Sequence, residues 1–311
     1  MEVKNKMTQQ LSQNAAVEQG RTAEMQRQAK RKRKKAIKMA CMYAILIFVA
    51  IIMVYPIIWL IGASFKSNAE IFTSIGFIPS SFDFQPYIDG WKTGTEYTMG
   101  HYFLNTFKIV IPKVIFVVIS SSLTAYGFAR FNFPLKKLFF SCVIGTMLLP
   151  NIILRIPSYM MWKSFGLLDT YAPLVLPALF ATELFFVFML IQFFRGIPRD
   201  LDEAAEIDGC GSFQTLIQIL LPVLKPALIS CALFTFMWTM NDFMGPLIFV
   251  TSVKKYPLTI ALKMSMDATS GTFDWNKVIA MSLVGLAPSI IVFFSAQKYF
   301  IEGIASSGIK G

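Results

Sequence analysis

Charge is scarce in this chain. Of 311 residues only 15% are Asp, Glu, Lys or Arg, against roughly 25% in soluble domains, too few to wrap most of the sequence in a water-facing surface. Histidine occurs once, at His101, which leaves no set of imidazoles for a His-based metal centre. The four cysteines, Cys41, Cys142, Cys210 and Cys231, fall in or beside apolar runs at no metal-ligand spacing. They outline neither a disulfide framework nor a metal site and read as small packing residues. Beyond residue 36 there is no polar stretch long enough to fold separately. The first apolar run follows about 35 polar residues and is too long for a cleaved signal, so it is expected to stay as an anchor.

What is abundant is apolar: 55% of the residues are hydrophobic. Runs of about 20 residues can cross a hydrocarbon layer of about 30 Å at 1.5 Å per residue. Six such spans are predicted, near residues 37–62, 102–128, 138–162, 172–194, 222–250 and 278–300. The expected fold class is therefore all-α, a polytopic membrane protein with six transmembrane helices and both termini cytoplasmic. Residues 1–36 would form a basic, flexible cytoplasmic tail, disordered or frayed helix, and residues 37–311 the membrane domain.

The formal charge of +11 is concentrated at the amino terminus. Up to Ala40 there are eleven Lys and Arg against three Glu, a net of +8, which leaves +3 for the rest. Its focus, KRKRKK at Lys30–Lys35, abuts the first span, where anionic lipid attracts it and the positive-inside rule keeps it untranslocated. It lacks the interleaved aromatics of a nucleic-acid site, so no nucleic-acid partner is expected. The connection ARFNFPLKK carries Arg130, Lys136 and Lys137 with no acid, as an inside loop should. Residues 63–101 mix both signs with aromatics and suit the outside, with His101 at the outer boundary. Prolines recur within the spans, among them Pro56, Pro112, Pro150, Pro222, Pro226, Pro246 and Pro288. Each frees a backbone carbonyl that neighbours must satisfy, which fits a bundle that opens a path better than a rigid anchor.

Between two apolar runs lies PRDLDEAAEIDGCG, Pro198 to Gly211. Parity of spans and Arg195 and Arg199 put residues 196–221 inside. Pro198 ends the preceding element, Asp200 and Asp202 favour a helix start through the macrodipole, and Gly209 supplies a left-handed stop. Leu201, Ala204, Ala205 and Asp208 are expected on one face, with Glu203 and Glu206 elsewhere. A helix of about ten residues is marginal alone and needs a dock, unless it is a loop helix with solvated acids.

The longer pattern, EAAEIDGCGSFQTLIQILLPVLKPA (Glu203–Ala227), resembles the EAA motif of ABC importer permeases. Glu203, Ala204, Ala205, Asp208, Gly209, Leu221, Pro222 and Pro226 fall in register; Cys210 and Gly211 stand where the family often has alanine or serine. WTMNDFMGPLIFV (Trp238–Val250), YPLTIAL (Tyr256–Leu262) and QKYFIEGIASSGIKG (Gln297–Gly311) are similar to further blocks of the maltose-type carbohydrate permeases, in particular the subunit of the pair that ends in Lys-Gly. Ser306, Ser307 and Ile309 depart from the family's ending.

The resemblance implies the type I importer permease fold in a bacterial or archaeal cell membrane. It implies a second homologous permease, two ATPase subunits beneath, an extracytoplasmic solute-binding protein and a sugar or oligosaccharide substrate. ATP and Mg would sit on the ATPase; this chain would hold no cofactor or metal and would not be an enzyme. Glu203, Ala204, Ala205, Asp208 and Gly209 would form the coupling element, with Glu203 ion-pairing and Gly209 fixing the angle, and Lys310 and Gly311 would contact the ATPase. Acids within spans are functional candidates. Glu183 is pore-facing or interfacial, and Asn241 with Asp242 is either part of the substrate path or, preferred, a structural hydrogen bond between helices. A secondary transporter, a membrane-embedded enzyme or an ABC importer of a non-sugar solute are the competing readings. The first would need a coupling-ion site and the second a cluster of His, Asp or Glu.

Overall fold

The computed structural model describes the backbone of residues 2–92, 96–150, 152–266 and 274–308, and the side chains of residues 30, 32–92, 96–150, 152–266 and 274–299. Regular structure among them is helical throughout. The chain divides into two compact units, residues 1–62 with 76–78, and residues 63–75 with 79–311.

The first unit is dominated by α1 (Glu2–Ala63), which runs unbroken from the polar amino-terminal segment into the first apolar run. The polar amino-terminal segment is helical. Before Pro56 it contains no proline and a single glycine, Gly20, and its Ala, Gln, Lys, Arg and Met are strong helix formers. From Ile37 to Ile58 its side chains are exposed, as a surface made for lipid must be.

The second unit is built around α2 (Met99–Arg130). It packs on α5 (Leu184–Gly196) and α7 (Lys225–Met240), and α7 packs in turn on α9 (Trp275–Gly308). Val117 and Ala125 of α2, Phe186, Leu190 and Phe194 of α5, and Cys231 of α7 form a core closed to solvent. Association in lipid relies on packing rather than on burial from water, and small residues let backbones approach; Ser120, Ser121, Ser122 and Ala125 are all buried on α2. Hydroxyls folded back onto carbonyls four residues earlier satisfy several such groups, as in Ser122 to Val118 (2.6 Å) and Thr235 to Cys231 (2.8 Å), while the buried Ser121 Oγ finds no partner among the described residues.

Among the described residues four helices are long and apolar enough to cross a membrane, residues 32–63, 99–130, 172–196 and 275–299, and five if a bent pair is counted as one span. The spans expected at 138–162 and 222–250 are not continuous rods. The first consists of α3 (Lys136–Met147) and α4 (Arg155–Ser164), separated at Pro150, where proline lacks a donor and disfavours helix in the residue before it. In the second, Ser212–Val223 and Lys225–Met240 meet at 79°, with Pro222 and Pro226 on either side of the bend. The chain then breaks at 241–243 before α8 (Met244–Phe249). The 172–196 span is also interrupted, by a 3₁₀ turn at Leu176–Phe180 and a left-handed Ala181 (φ 53°). Carbonyls freed there are recovered by side chains: Thr182 donates to Pro177 (2.9 Å) and buried Ser120 to Ala178 (2.6 Å).

At the Met99 end of α2, two connections are knotted together by Asp169. Its carboxylate accepts from the amides of Thr251 (3.0 Å) and Ser252 (2.9 Å), from the Ser252 hydroxyl (2.5 Å) and from Lys255 (3.0 Å). His101 Nε2 donates to the Lys254 carbonyl (2.6 Å), and Asn105 donates to the same oxygen (2.9 Å). Burial would raise the Asp169 carboxyl, but the bonds from Ser252, Lys255 and Thr251 outweigh it and hold the group well below the ordinary carboxylate range. A depressed carboxyl contributes stability that is complete above the unfolded value of about 4 and is lost as pH falls through the folded one. Asp169→Asn should therefore lower unfolding stability by about 1–2 kcal/mol near neutrality. It should also flatten the acid limb of the melting temperature between about pH 4 and 2, as read by thermal unfolding in detergent.

Candidate functional site

Pro198 cannot continue α5, and the chain restarts as α6 (Asp200–Ile207), with Asp200, Asp202 and Glu203 in its first turn. These acids face the positive end of the helix dipole. The far end closes as the sequence suggests. Gly209 is left-handed (φ 79°), its amide bonds the Glu206 carbonyl (3.0 Å) and the Cys210 amide reaches back to Ala205 (2.9 Å). This is the paired closure of a Schellman motif. An added Cβ at Gly209 would meet nothing within 4 Å, so glycine is required by backbone angle and not by crowding.

Leu201, Ala204, Ala205 and Asp208 fall within about 100° of one another, as expected at about 100° per residue. Ala205 alone is buried, at 1% exposure; Ala204, Leu201 and Asp208 are exposed. At the same spacing, Asp200, Glu203, Ala204 and Ile207 fall within about 100° on the side opposite Ala205. Ile207 is 87% exposed, a large apolar side chain presented outward beside a carboxylate.

What holds α6 comes from elsewhere in the chain. Arg130, the last residue of α2, keeps only 7% of its side chain exposed; its Nη2 stands 3.1 Å from Asp202 Oδ2 and donates to the Ile197 carbonyl at 3.1 Å. One turn earlier, Tyr126 donates to the Ser212 carbonyl (2.9 Å). Two residues at i and i+4 on α2 thus grip the entry, the first turn and the exit of the 197–212 segment. Arg130 reads in the sequence as a loop cation, and its acid lies 72 residues away. The only local signal is an aromatic and a cation on one face of a helix end.

The acids within the spans sit at helix breaks. Glu183 occupies the start of α5 after the left-handed Ala181, and its Oε1 lies 2.9 Å from Lys113 Nζ in the middle of α2. Lys113 was not singled out by sequence, because a lone lysine in an apolar run does not name its partner. Asp242 accepts from the Gly245 amide (3.0 Å) and so supports the start of α8, while Asn241 bonds back to Met237 (2.7 Å). A Cβ at Gly245 would stand 2.3 Å from the Asp242 carboxylate, which would have to move to admit it. The Asp242 carbonyl also accepts from Thr259 (3.0 Å). Lys113, Asp242, Thr106, Thr239 and Thr259 line one recess; Glu183 joins through Lys113, and Asn241 does not. Lys310 and Gly311 lie outside the described residues.

Arg130→Met should leave the Ile197 carbonyl and Asp202 without their cation. Removing one partner of a buried pair costs about 3–5 kcal/mol; Asp202 keeps partial access to water, so about 2 kcal/mol, or roughly thirtyfold faster amide exchange across 198–210, is expected. Gly209→Ala should cost about 1 kcal/mol from the left-handed angle alone, seen as faster exchange confined to α6.

The family described as binding-protein-dependent transport system inner membrane component matches residues 117–305. The probable ABC transporter permease protein YurM of Bacillus subtilis (strain 168) is 32% identical over 91% of this chain and 92% of its own. The diacetylchitobiose uptake system permease protein NgcG of Streptomyces coelicolor is 31% identical over 86% and 88%. A chain from the crystal structure of a bacterial ABC transporter involved in import of the acidic polysaccharide alginate superposes with a TM-score of 0.73, 23% identity, over 86% of this chain and 98% of that one, which establishes likeness of fold. Helices able to cross a membrane, a closed acid–alanine–glycine helix between two of them, and a family match over most of the chain converge: the protein belongs to the binding-protein-dependent transport system inner membrane components, the ABC transporter permeases, and is a transport subunit rather than an enzyme.

Proposed function

We propose that the chain is one permease of an ATP-driven importer of a sugar or oligosaccharide. It works with a second homologous permease, two ATPase subunits that carry ATP and Mg, and an extracytoplasmic binding protein. Both termini and the 197–212 segment lie on the ATPase side, with α3 and α4 together serving as the third of six membrane crossings. Sugar as cargo is supported by the name of the Streptomyces relative, a diacetylchitobiose uptake permease.

The observation that carries the coupling role is the outward face of α6. Ile207 and Glu203 stand free on a helix of eight residues that is too short to be stable alone. Asp208 adds to this, since a carboxylate at the carbonyl end opposes the macrodipole by about 0.3–1 kcal/mol. Local rules broken on an exposed helix suggest a constraint set by a partner. Glu203 pairs with a basic group of the ATPase, Ile207 and Ala204 enter its cleft, Gly209 sets the angle, and buried Ala205 seats the helix on its own bundle. Lys310 and Gly311 add a second contact, and Glu183 and Asp242 belong to the substrate path, while Asn241, bonded back to Met237, serves the helix end.

Glu203→Lys reverses the sign of the proposed ion pair. Affinity purification of the permease should then recover at least tenfold less ATPase than wild type, while the permease pair itself stays assembled. Full retention of ATPase with unchanged solute-stimulated hydrolysis would refute the coupling role, and transport without nucleotide would point to a secondary transporter.

A further inference from the structure

Lys113 lies deep in α2, 14 residues after Met99 and 17 before Arg130, or about 21 and 25 Å along the axis. An ammonium at that depth is expensive and is kept where it meets a counter-charge or a wet cavity. Its counter-charge is Glu183 at 2.9 Å, yet neither side chain is sealed, with 20% and 34% exposed. The core begins one turn away at Val117, which is completely buried.

The surroundings share this character. Glu183 and Asp242 each stand at an interruption of a crossing segment, 181–183 and 241–243. Irregular backbone at membrane depth is tolerated where it is packed in protein or lines a polar cavity, and broken helices mark solute sites in other transporters. Lys113 faces a recess of about 10 Å³ that also holds Asp242, Thr239 and Thr259, closed in this conformation to the room of one water. Its only other described basic neighbour on α2, Lys108, lies about 140° round the helix and donates to Asn105 (3.4 Å).

Counted together, the locus holds one cation and two carboxylates, and the cation is already spoken for. An incoming carboxylate or phosphate would meet no uncommitted positive charge there and would be repelled by Asp242 in surroundings that screen poorly. A neutral polyol meets a different surface. Glu183 and Asp242 accept from its hydroxyls, and Lys113, with three donors of which one serves Glu183, gives the others to ring or hydroxyl oxygens.

We propose that the Lys113–Glu183 pair is a solute-contacting element of the path and that it restricts passage to electrically neutral, hydroxyl-rich solutes. This deepens the importer reading and rests on it. Removing the carboxylate with Glu183→Gln leaves Lys113 as an uncommitted cation, so selectivity should move towards anions.

The test uses the complete complex, both permeases, ATPases and binding protein, in proteoliposomes. ATP-dependent uptake is measured separately for a neutral pool (diacetylchitobiose, maltotriose, arabinotriose) and for a mannuronate trisaccharide. Expressing selectivity as the ratio of variant to wild type cancels the fixed preference of the binding protein. Glu183→Gln should lower the neutral-to-anionic ratio at least tenfold. Lys113→Glu with Glu183→Lys, which restores the pair in reverse, should return both yield and ratio to within twofold of wild type. An unchanged ratio in Glu183→Gln, or wild-type preference for the uronate, overturns this proposal and leaves the importer reading standing. Absence of ATP-dependent uptake of every probe overturns both.

Discussion

Hydrocarbon offers no hydrogen bonds, and that constraint organises the whole molecule. Every backbone amide and carbonyl at membrane depth must find a partner inside the protein, so the described regular structure is helix alone and two of its interruptions carry a visible remedy. Where the 172–196 segment loosens, Thr182 and Ser120 take up the carbonyls of Pro177 and Ala178. Where the chain breaks after α7, Asp242 receives the Gly245 amide and Thr259 serves the Asp242 carbonyl. These two breaks are therefore supported positions, and each carries a carboxylate, Glu183 and Asp242.

The same requirement operates at the Arg130 end of α2, with stronger groups. A guanidinium that is nearly buried is held by a carboxylate and a carbonyl, both from the 197–212 segment. Because Arg130 and Tyr126 lie on the last turn and a half of α2, a rod of 32 residues, a displacement of α6 is transmitted to α2 as directly as to α5, its neighbour in sequence. The short helix is mounted like a lever on two supports, one covalent and one ionic. Its exposed face, Glu203, Ala204 and Ile207, is left uncommitted by the chain itself.

Much of this was legible beforehand, and for identifiable reasons. Apolar runs of membrane length, the proline stop and the glycine closure of α6 are local: they depend on which residue follows which, and physical chemistry assigns each a conformation without reference to the rest of the chain. Gly209 is left-handed because its neighbours ask for a helix end. The register of Glu203 to Pro226 was equally readable, as a linear pattern shared with the family. Less legible were the continuous rods expected at 138–162 and 222–250, since hydropathy measures affinity for lipid and is nearly blind to a bend at Pro222 or an interruption at Pro150.

By itself, then, the sequence determined the solvent, the helical class, the family and the closed form of the short helix, because these follow from composition and from contacts within a few residues. Tertiary structure alone decided which face of α6 is outward, that Arg130 reaches Asp202, and that Lys113 meets Glu183. Such pairs are separated by about 70 residues and are selected by how rods cross, a geometry that no periodicity along the chain encodes. A charge in the sequence states what it needs; only the packed helices decide which group supplies it.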